Sequence, residues 1–288
     1  MLNVTQFMNS AADSRPGATA TIMGDRKFTW GQHRERAARL ADSLRKLGAG
    51  PSDRVAILAL NSDRYTEYYH AVWWAGAAVV PMNIRWTAVE NAYSLNDSEA
   101  KILFVDKAFS AAMPGIRKEC AHLEHVIYLD DGDVPEGMLG YEDLVSNGSL
   151  CDDALRGGED LAGLYYTGGT TGFPKGVMLP HRAIWYNNLV MSKMLDARPE
   201  SSYLHAAPMF HLADGAASGG LTAMGATHVY IPMLDIEGVM SAVETHGVSH
   251  TLLVPTMIGM LLNSESFDPK RLSSLGSMLY GASPMPEG

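Results

Sequence analysis

The sequence predicts an α/β protein of two lobes, each a mainly parallel sheet flanked by helices. Three observations lead there. Short apolar strands alternate with amphipathic helices along most of the chain, the order that builds parallel sheets covered on both faces. The 288 residues are enough for a large core divided between two lobes. No repeat of fixed period and no low-complexity tract interrupts the alternation.

Taken in order, Thr19 to Phe28 reads as a hairpin with Gly24 and Asp25 at its turn. A helix follows from Gly31 to Leu47. Thr29 and Gln32 form a capping-box pattern, Ala37, Leu40, Ala41, Leu44 and Leu47 recur at helical spacing, and Gly48 is the stop. Arg54–Leu60 is a strand, Asp63–Ala75 a helix, Ala77–Pro81 a strand, Thr87–Asn96 a helix and Lys101–Val105 a strand. Val126–Leu129 is a further strand. Residues 130–158, rich in glycine and acidic side chains, read mostly as loop. Beyond a central glycine-rich stretch come helix Ala183–Met194, strand Tyr203–Ala206, helix His211–Met224 and strand Thr227–Ile231. Helix Ile236–His246, strand His250–Val254, helix Met257–Asn263 and strand Ser277–Tyr280 complete the pattern.

The net charge of −10, without a basic cluster, argues against nucleic acid and anionic membrane as partners. A local site for an anionic nucleotide remains compatible with it. Cys120 and Cys151 form no CxxC, so neither a disulfide framework nor a cysteine zinc site is expected, and a reducing, cytoplasmic compartment fits. The ten histidines show no metal-ligand spacing. MLNVTQFMNS has no basic segment and no long apolar segment, so no signal peptide is expected. The apolar run Ala71–Met82 is too short to span a bilayer and reads as a helix end followed by a buried strand.

Tyr165 to Ala183, YYTGGTTGFPKGVMLPHRA, carries the chemistry. From Thr167 to Gly176 it holds four glycines, three threonines and one lysine. Glycine lets backbone N–H groups approach an anion closely. Thr167, Thr170 and Thr171 add hydroxyl donors, and Lys175 adds a full positive charge able to follow a phosphate. The stretch is not a Walker A motif, because Phe173 and Pro174 separate Gly172 from Lys175 and Gly176 follows. Its flanks, LYY and VML, are strand-like, so the loop should join two strands.

Tyr166 to Gly176 resembles the phosphate loop of the adenylate-forming superfamily, the acyl-CoA synthetases, luciferases and nonribosomal adenylation domains. The helix-to-strand run from Thr29 to Leu58 is similar to that family, as are VVPMN at Val79–Asn83, APMFHLADG at Ala207–Gly215, VPTM at Val254–Met257 and YGASPMP at Tyr280–Pro286. The likeness covers essentially the whole chain. It implies an incomplete N-terminal AMP-binding domain over residues 1–288, with interleaved lobes at about 50–180 and at 1–49 plus 181–288.

The resemblance implies ATP-dependent conversion of a carboxylic acid to an acyl-adenylate, then thioester formation with coenzyme A, Mg2+ accompanying the ATP. Thr167, Gly168, Gly169, Thr170, Thr171, Gly172, Pro174 and Lys175 would hold the β- and γ-phosphates. His211 would be the catalytic histidine where acyl pocket, α-phosphate and pantetheine channel meet; a structural histidine packed beside Phe210 is the alternative. Gly281, Ala282 and Ser283 would lie against adenine, though such a triplet also suits an ordinary tight turn. Phe210, His211, Ala213, Val254 and Tyr280 would line the acyl pocket. His211 stands where amino-acid adenylation domains usually carry an aspartate, which disfavours an α-amino acid; Asp214, three residues on, weakens that argument. Ala213 and the small residues Gly215, Ala216, Ala217, Gly219 and Gly220 leave room for a fatty or aryl-aliphatic tail, or serve close helix packing.

The family's acidic magnesium-binding segment, ribose-binding Asp, hinge and small C-terminal domain with its adenylation lysine have no counterpart here. The 288-residue chain alone is therefore expected to be catalytically crippled. An acceptor other than coenzyme A, such as a carrier protein, and a non-catalytic nucleotide-binding module are the competing readings. Stable membrane insertion is not expected, and a homodimer is left open.

Overall fold

Successive residues along each strand face opposite ways, residues two apart share a face, and each face meets its own helices. The computed structural model describes residues 2–168 and 173–281. Its strands are β1 (Thr19–Met23), β2 (Arg26–Thr29), β3 (Arg54–Leu58), β4 (Ala78–Pro81), β5 (Ile102–Val105), β6 (His125–Tyr128), β7 (Leu139–Gly140), β8 (Leu161–Thr167), β9 (Lys175–Pro180), β10 (Ser202–His205), β11 (Thr227–Tyr230), β12 (His250–Leu252) and β13 (Ser277–Leu279). Its helices are α1 (Thr5–Ser14), α2 (Trp30–Lys46), α3 (Asp63–Ala75), α4 (Ala88–Ser98), α5 (Lys107–Ser110), α6 (Met113–Glu119), α7 (Tyr141–Asn147), α8 (His181–Met194), α9 (Leu212–Ala223), α10 (Ile236–His246) and α11 (Pro255–Leu262).

The chain forms two compact units, residues 1–6, 34–60 and 64–185 in the first, residues 7–33, 61–63 and 186–288 in the second. The first holds a sheet ordered β7-β6-β5-β3-β4-β8-β9, parallel except for the β8–β9 hairpin. Ala56, Leu58, Val80, Met82, Leu103 and Val105 pack with Ala92 and Leu95 of α4 and Met113 and Ile116 of α6. On the opposite face the Phe104 ring meets Tyr68 of α3 at 5.2 Å and Tyr141 of α7 at 6.2 Å.

The second unit holds β13-β12-β10-β11-β1-β2, parallel except for the β1–β2 hairpin. Leu204 and Val229 pack with α10 and α11. Tyr203 and Leu252 face the other way, onto Met191 of α8 and Ala217 and Leu221 of α9. The expected fold class of mainly parallel sheets flanked by helices is met in both units.

Local signals explain the agreement. Thr29 Oγ1 accepts from the Gln32 N–H at 3.3 Å and Gln32 Oε1 accepts from the Thr29 N–H at 2.9 Å, the reciprocal cap expected before α2. α3 ends at Gly76, whose φ of +95° turns the chain into β4.

The departures are short elements. The stretch 130–158 contains β7 and α7. Tyr141 and Val145, one helical turn apart, bury there, but seven residues without a side-chain cap leave little periodic signal. α1, α5 and α6 also go unread; α1 buries Phe7, Met8, Ala11 and Ala12 on one face.

Candidate functional site

The glycine-threonine loop joins β8 to β9 in the first unit, as the strand-like flanks require. Pairing runs from Leu161 opposite Pro180 to Thr167 opposite Lys175, so these two candidate phosphate ligands stand across from each other where the hairpin opens. Thr167, Gly168 and Lys175 are exposed, and Pro174 is buried. Gly169, Thr170, Thr171 and Gly172 lie outside the described residues.

α4 braces both arms of the hairpin. Tyr166 donates its hydroxyl to Asp97 Oδ2 at 2.7 Å, and Phe173 stacks on Tyr93 with centroids 4.5 Å apart. Burial first, then the bond to Asp97, pushes the Tyr166 hydroxyl well above its ordinary range, so it stays a donor. Gly176 lies against the Tyr166 ring, where a Cβ would sit 3.1 Å from Cζ. Lys175, at the start of β9 between these contacts, is exposed.

His181 follows the hairpin as the first residue of α8. It is 1% exposed, and neither ring nitrogen has a hydrogen-bond partner among the described residues. Burial lowers its pKa to about 4, with Asp160 opposing and Arg156 adding to the shift. The unfolded chain binds this proton near the ordinary histidine value of 6.5. Stability from neutral His181 is therefore complete above about pH 6.5 and falls as the pH drops toward 4. His181→Leu should flatten that acid limb in urea melts taken from pH 4 to 7; an unchanged slope would count against it.

The other candidates belong to the second unit and converge on one edge of its sheet. β10, β12 and β13 run parallel, with Leu204 opposite Thr251 and Leu252 opposite Leu279. The segment carrying Phe210 and His211, the turn at Val254, and Tyr280 with Gly281 all leave the C-terminal ends of these strands, where open α/β sheets bind ligands. Phe210 is buried, with its ring 4.2 Å from that of His211. His211 is exposed and precedes α9, and exposed Ala213 lies in the first turn. Val254 is half-buried, Tyr280 is 56% exposed, and Gly281 is half-buried. Ala282 and Ser283 lie outside the described residues.

The small residues of α9 divide between the two roles left open by the sequence. A Cβ on Gly219 would lie 2.1 Å from Asn188 Oδ1, and one on Gly220 would lie 2.7 Å from the Ser192 backbone nitrogen. Both therefore serve close packing on α8, and Ala217 is wholly buried in the same layer. At Gly215 an added Cβ meets nothing within 4 Å among the described residues. Among the described residues, space is left there and beside exposed Ala213, but not at 217, 219 or 220.

The supports of the hairpin come from residues remote from it in the chain. Tyr93 and Asp97 act from a distance in sequence, and only a polar residue inside an apolar stretch hints at such a role. Among the described residues no group of three or more His, Cys, Asp or Glu is placed to hold a metal ion. Among the same residues no helix is long and apolar enough to cross a membrane.

Comparison with known proteins matches residues 8–288 to a family described as AMP-binding enzyme. The chain is 31% identical to the peroxisomal benzoate–CoA ligase of Arabidopsis thaliana, over 97% of this chain and 51% of that one. It is 35% identical to a long-chain-fatty-acid–CoA ligase of Thermus thermophilus, over 90% and 48% respectively. The chain thus spans about half the length of these relatives. The N-terminal domain of FACL13 from Mycobacterium tuberculosis superposes with a TM-score of 0.84 at 26% identity, covering 100% of this chain and 71% of that domain.

Proposed function

The chain belongs to the AMP-binding enzyme family, and from that premise we propose that, within a longer enzyme, it activates a carboxylic acid with ATP and passes the acyl group to coenzyme A. In the first step a carboxylate oxygen attacks the α-phosphorus and the bond to the bridging oxygen breaks, releasing pyrophosphate. In the second, the coenzyme A sulfur attacks the acyl carbon as a thiolate, the bond to the phosphate oxygen breaks, and AMP departs. The catalytic demand is positioning and charge neutralisation.

The observation that carries this reading is the braced hairpin, which sets Thr167 opposite Lys175 at its exposed end. Lys175, with Thr167, Gly168, Pro174 and residues 169–172, is assigned the β- and γ-phosphates. His211 is assigned to the reacting carboxylate or the mouth of the thiol channel. Gly281, with Ala282 and Ser283, is assigned the adenine. Phe210, Ala213, Val254 and Tyr280 are assigned the acyl group, with open space at Gly215 favouring a fatty or aryl-aliphatic acid. Relatives named for benzoate and for long-chain fatty acids support that range. The described residues supply no ready magnesium cluster, and no step here depends on one.

The test is ATP titration of the chain and of Lys175→Ala, with pyrophosphate exchange as a second readout. Loss of a charge-assisted contact to phosphate, about 1.5–3 kcal/mol, corresponds to roughly 10- to 100-fold weaker binding. Equal affinities would remove Lys175 from the phosphate site. Acid-dependent exchange is expected only from the longer enzyme; exchange at full rate by the 288-residue chain would overturn its assignment as inactive alone.

A further inference from the structure

His211 is exposed, yet the segment leading to it is tied down by buried groups. Asn61 lies between β3 and α3 in sequence, within the second unit, and is 5% exposed. Its Nδ2 donates to the carbonyl oxygens of His205 at 3.2 Å and Ala207 at 2.9 Å. Its Oδ1 accepts from the Met209 N–H at 2.8 Å. Its own backbone N–H donates to the Pro232 carbonyl at 3.0 Å. Both ends of one amide thus satisfy backbone groups spread over residues 205–209. No other side chain of this size, glutamine aside, offers two donors and an acceptor in one rigid plane.

The same segment is closed on itself. His205 Nδ1 lies 2.8 Å from Asp214 Oδ2, nine positions along the chain, and Tyr203 donates to Asp214 Oδ1 at 2.9 Å. His205 Nε2 lies 3.0 Å from His228 Nδ1, and the Tyr230 ring stacks on His205 at 4.5 Å. His205, Asp214 and His228 are 0–1% exposed. The result is a loop with Asn61 hydrogen-bonded along its first half, a His–Asp bond between its ends, and Phe210–His211 between those anchors. Buried polar networks in which each member has a partner hold one backbone arrangement.

We propose that Asn61 is a positioning residue for His211, fixing the backbone that aims the imidazole. Its importance for catalysis rests on the reading that His211 works on the acyl group; the positioning itself does not.

The test uses the 288-residue chain with isotope-labelled histidine, followed by NMR. The His211 ring signal is assigned by its loss in His211→Gln. Asn61→Asp keeps the shape and the acceptor but turns the two donors into an oxygen facing carbonyls; Asn61→Ala removes all three bonds. In both variants the His211 signal should shift or broaden, while His122 and His125 in the first unit keep theirs. A folded variant with the His211 signal unchanged in position and width overturns the proposal. If neither variant folds, wild-type amide exchange decides: Met209 should exchange at least about 100-fold more slowly than an unprotected amide, and exchange at the unprotected rate overturns it.

In the longer enzyme, Asn61→Asp should lower kcat and leave KM for ATP unchanged. Failure of the catalytic reading shows separately, as a His211→Gln enzyme with wild-type turnover. The ring signal would still move in Asn61→Asp.

Discussion

Glu67→Gln is expected to cost about 3 kcal/mol of folding stability, the low end for breaking a buried ion pair from one side. Glu67 is 2% exposed. Arg36 donates to it from Nε at 2.9 Å and from Nη2 at 3.2 Å, and Tyr141 donates to its Oε2 at 2.7 Å. Burial by itself pulls the Arg36 guanidinium down; the Glu67 charge and the Glu142 hydrogen bond outweigh that and hold it charged. Glutamine removes the charge and points an N–H group at a donor. Glu142, 2.8 Å from Arg36 Nη2 and 2.7 Å from Arg64 Nη2, keeps part of the compensation, which is why the low end applies. The melting midpoint should fall by roughly 6–12 °C. A fall within 1–2 °C would mean that the pair is worth no more than a surface one. Arg36→Met combined with Glu67→Met should cost less than the sum of the two singles, because neither charge is then left buried alone.

Gly148→Ala should destabilise the first unit by about 3 kcal/mol, through space rather than backbone conformation. Gly148 has φ −71° and ψ 144°, which any residue adopts. The added Cβ would sit 2.0 Å from the Arg39 carbonyl oxygen and 2.7 Å from its carbonyl carbon. Neither is a flexible tip, so α7 must move off α2. That motion strains two further bonds, Arg39 Nη1 to the Gly148 carbonyl at 2.9 Å and Ser43 Oγ to the Leu144 carbonyl at 2.6 Å. Gly17→Ala is the control, because its Cβ meets nothing within 4 Å; it should change stability by less than about 0.5 kcal/mol. Equal urea midpoints for the two variants would refute the close-approach argument.

Both effects depend on partners far apart in sequence, and the same distinction separates what could be read early from what could not. The strand-helix alternation, the Thr29–Gln32 cap and the helix bounds of Asp63–Ala75 and Ile236–His246 were legible, because periodicity and caps act within one or two turns. The strand-like flanks of the glycine-threonine loop were legible for the same reason. α7, with seven residues, carried too little periodic signal.

By itself the sequence determined the class of fold, the order of nearly all the long elements, and the place between two strands of a loop rich in Gly and Thr with one Lys. Those features are local: side-chain alternation, capping and the composition of one loop. Only the tertiary structure decided that Gly219 and Gly220 serve helix packing while a Cβ at Gly215 would meet none of the described residues within 4 Å. It set Val254 and Tyr280, which the resemblance groups with His211, at the ends of neighbouring parallel strands, and it alone brought Asn61 to the segment before His211. The physical reason is that packing and hydrogen-bond closure depend on which strands become neighbours, and strand order is a non-local property. An asparagine written between a strand and a helix at position 61 becomes the support of a histidine at 211 only once the segments that follow β10 and β11 lie beside it.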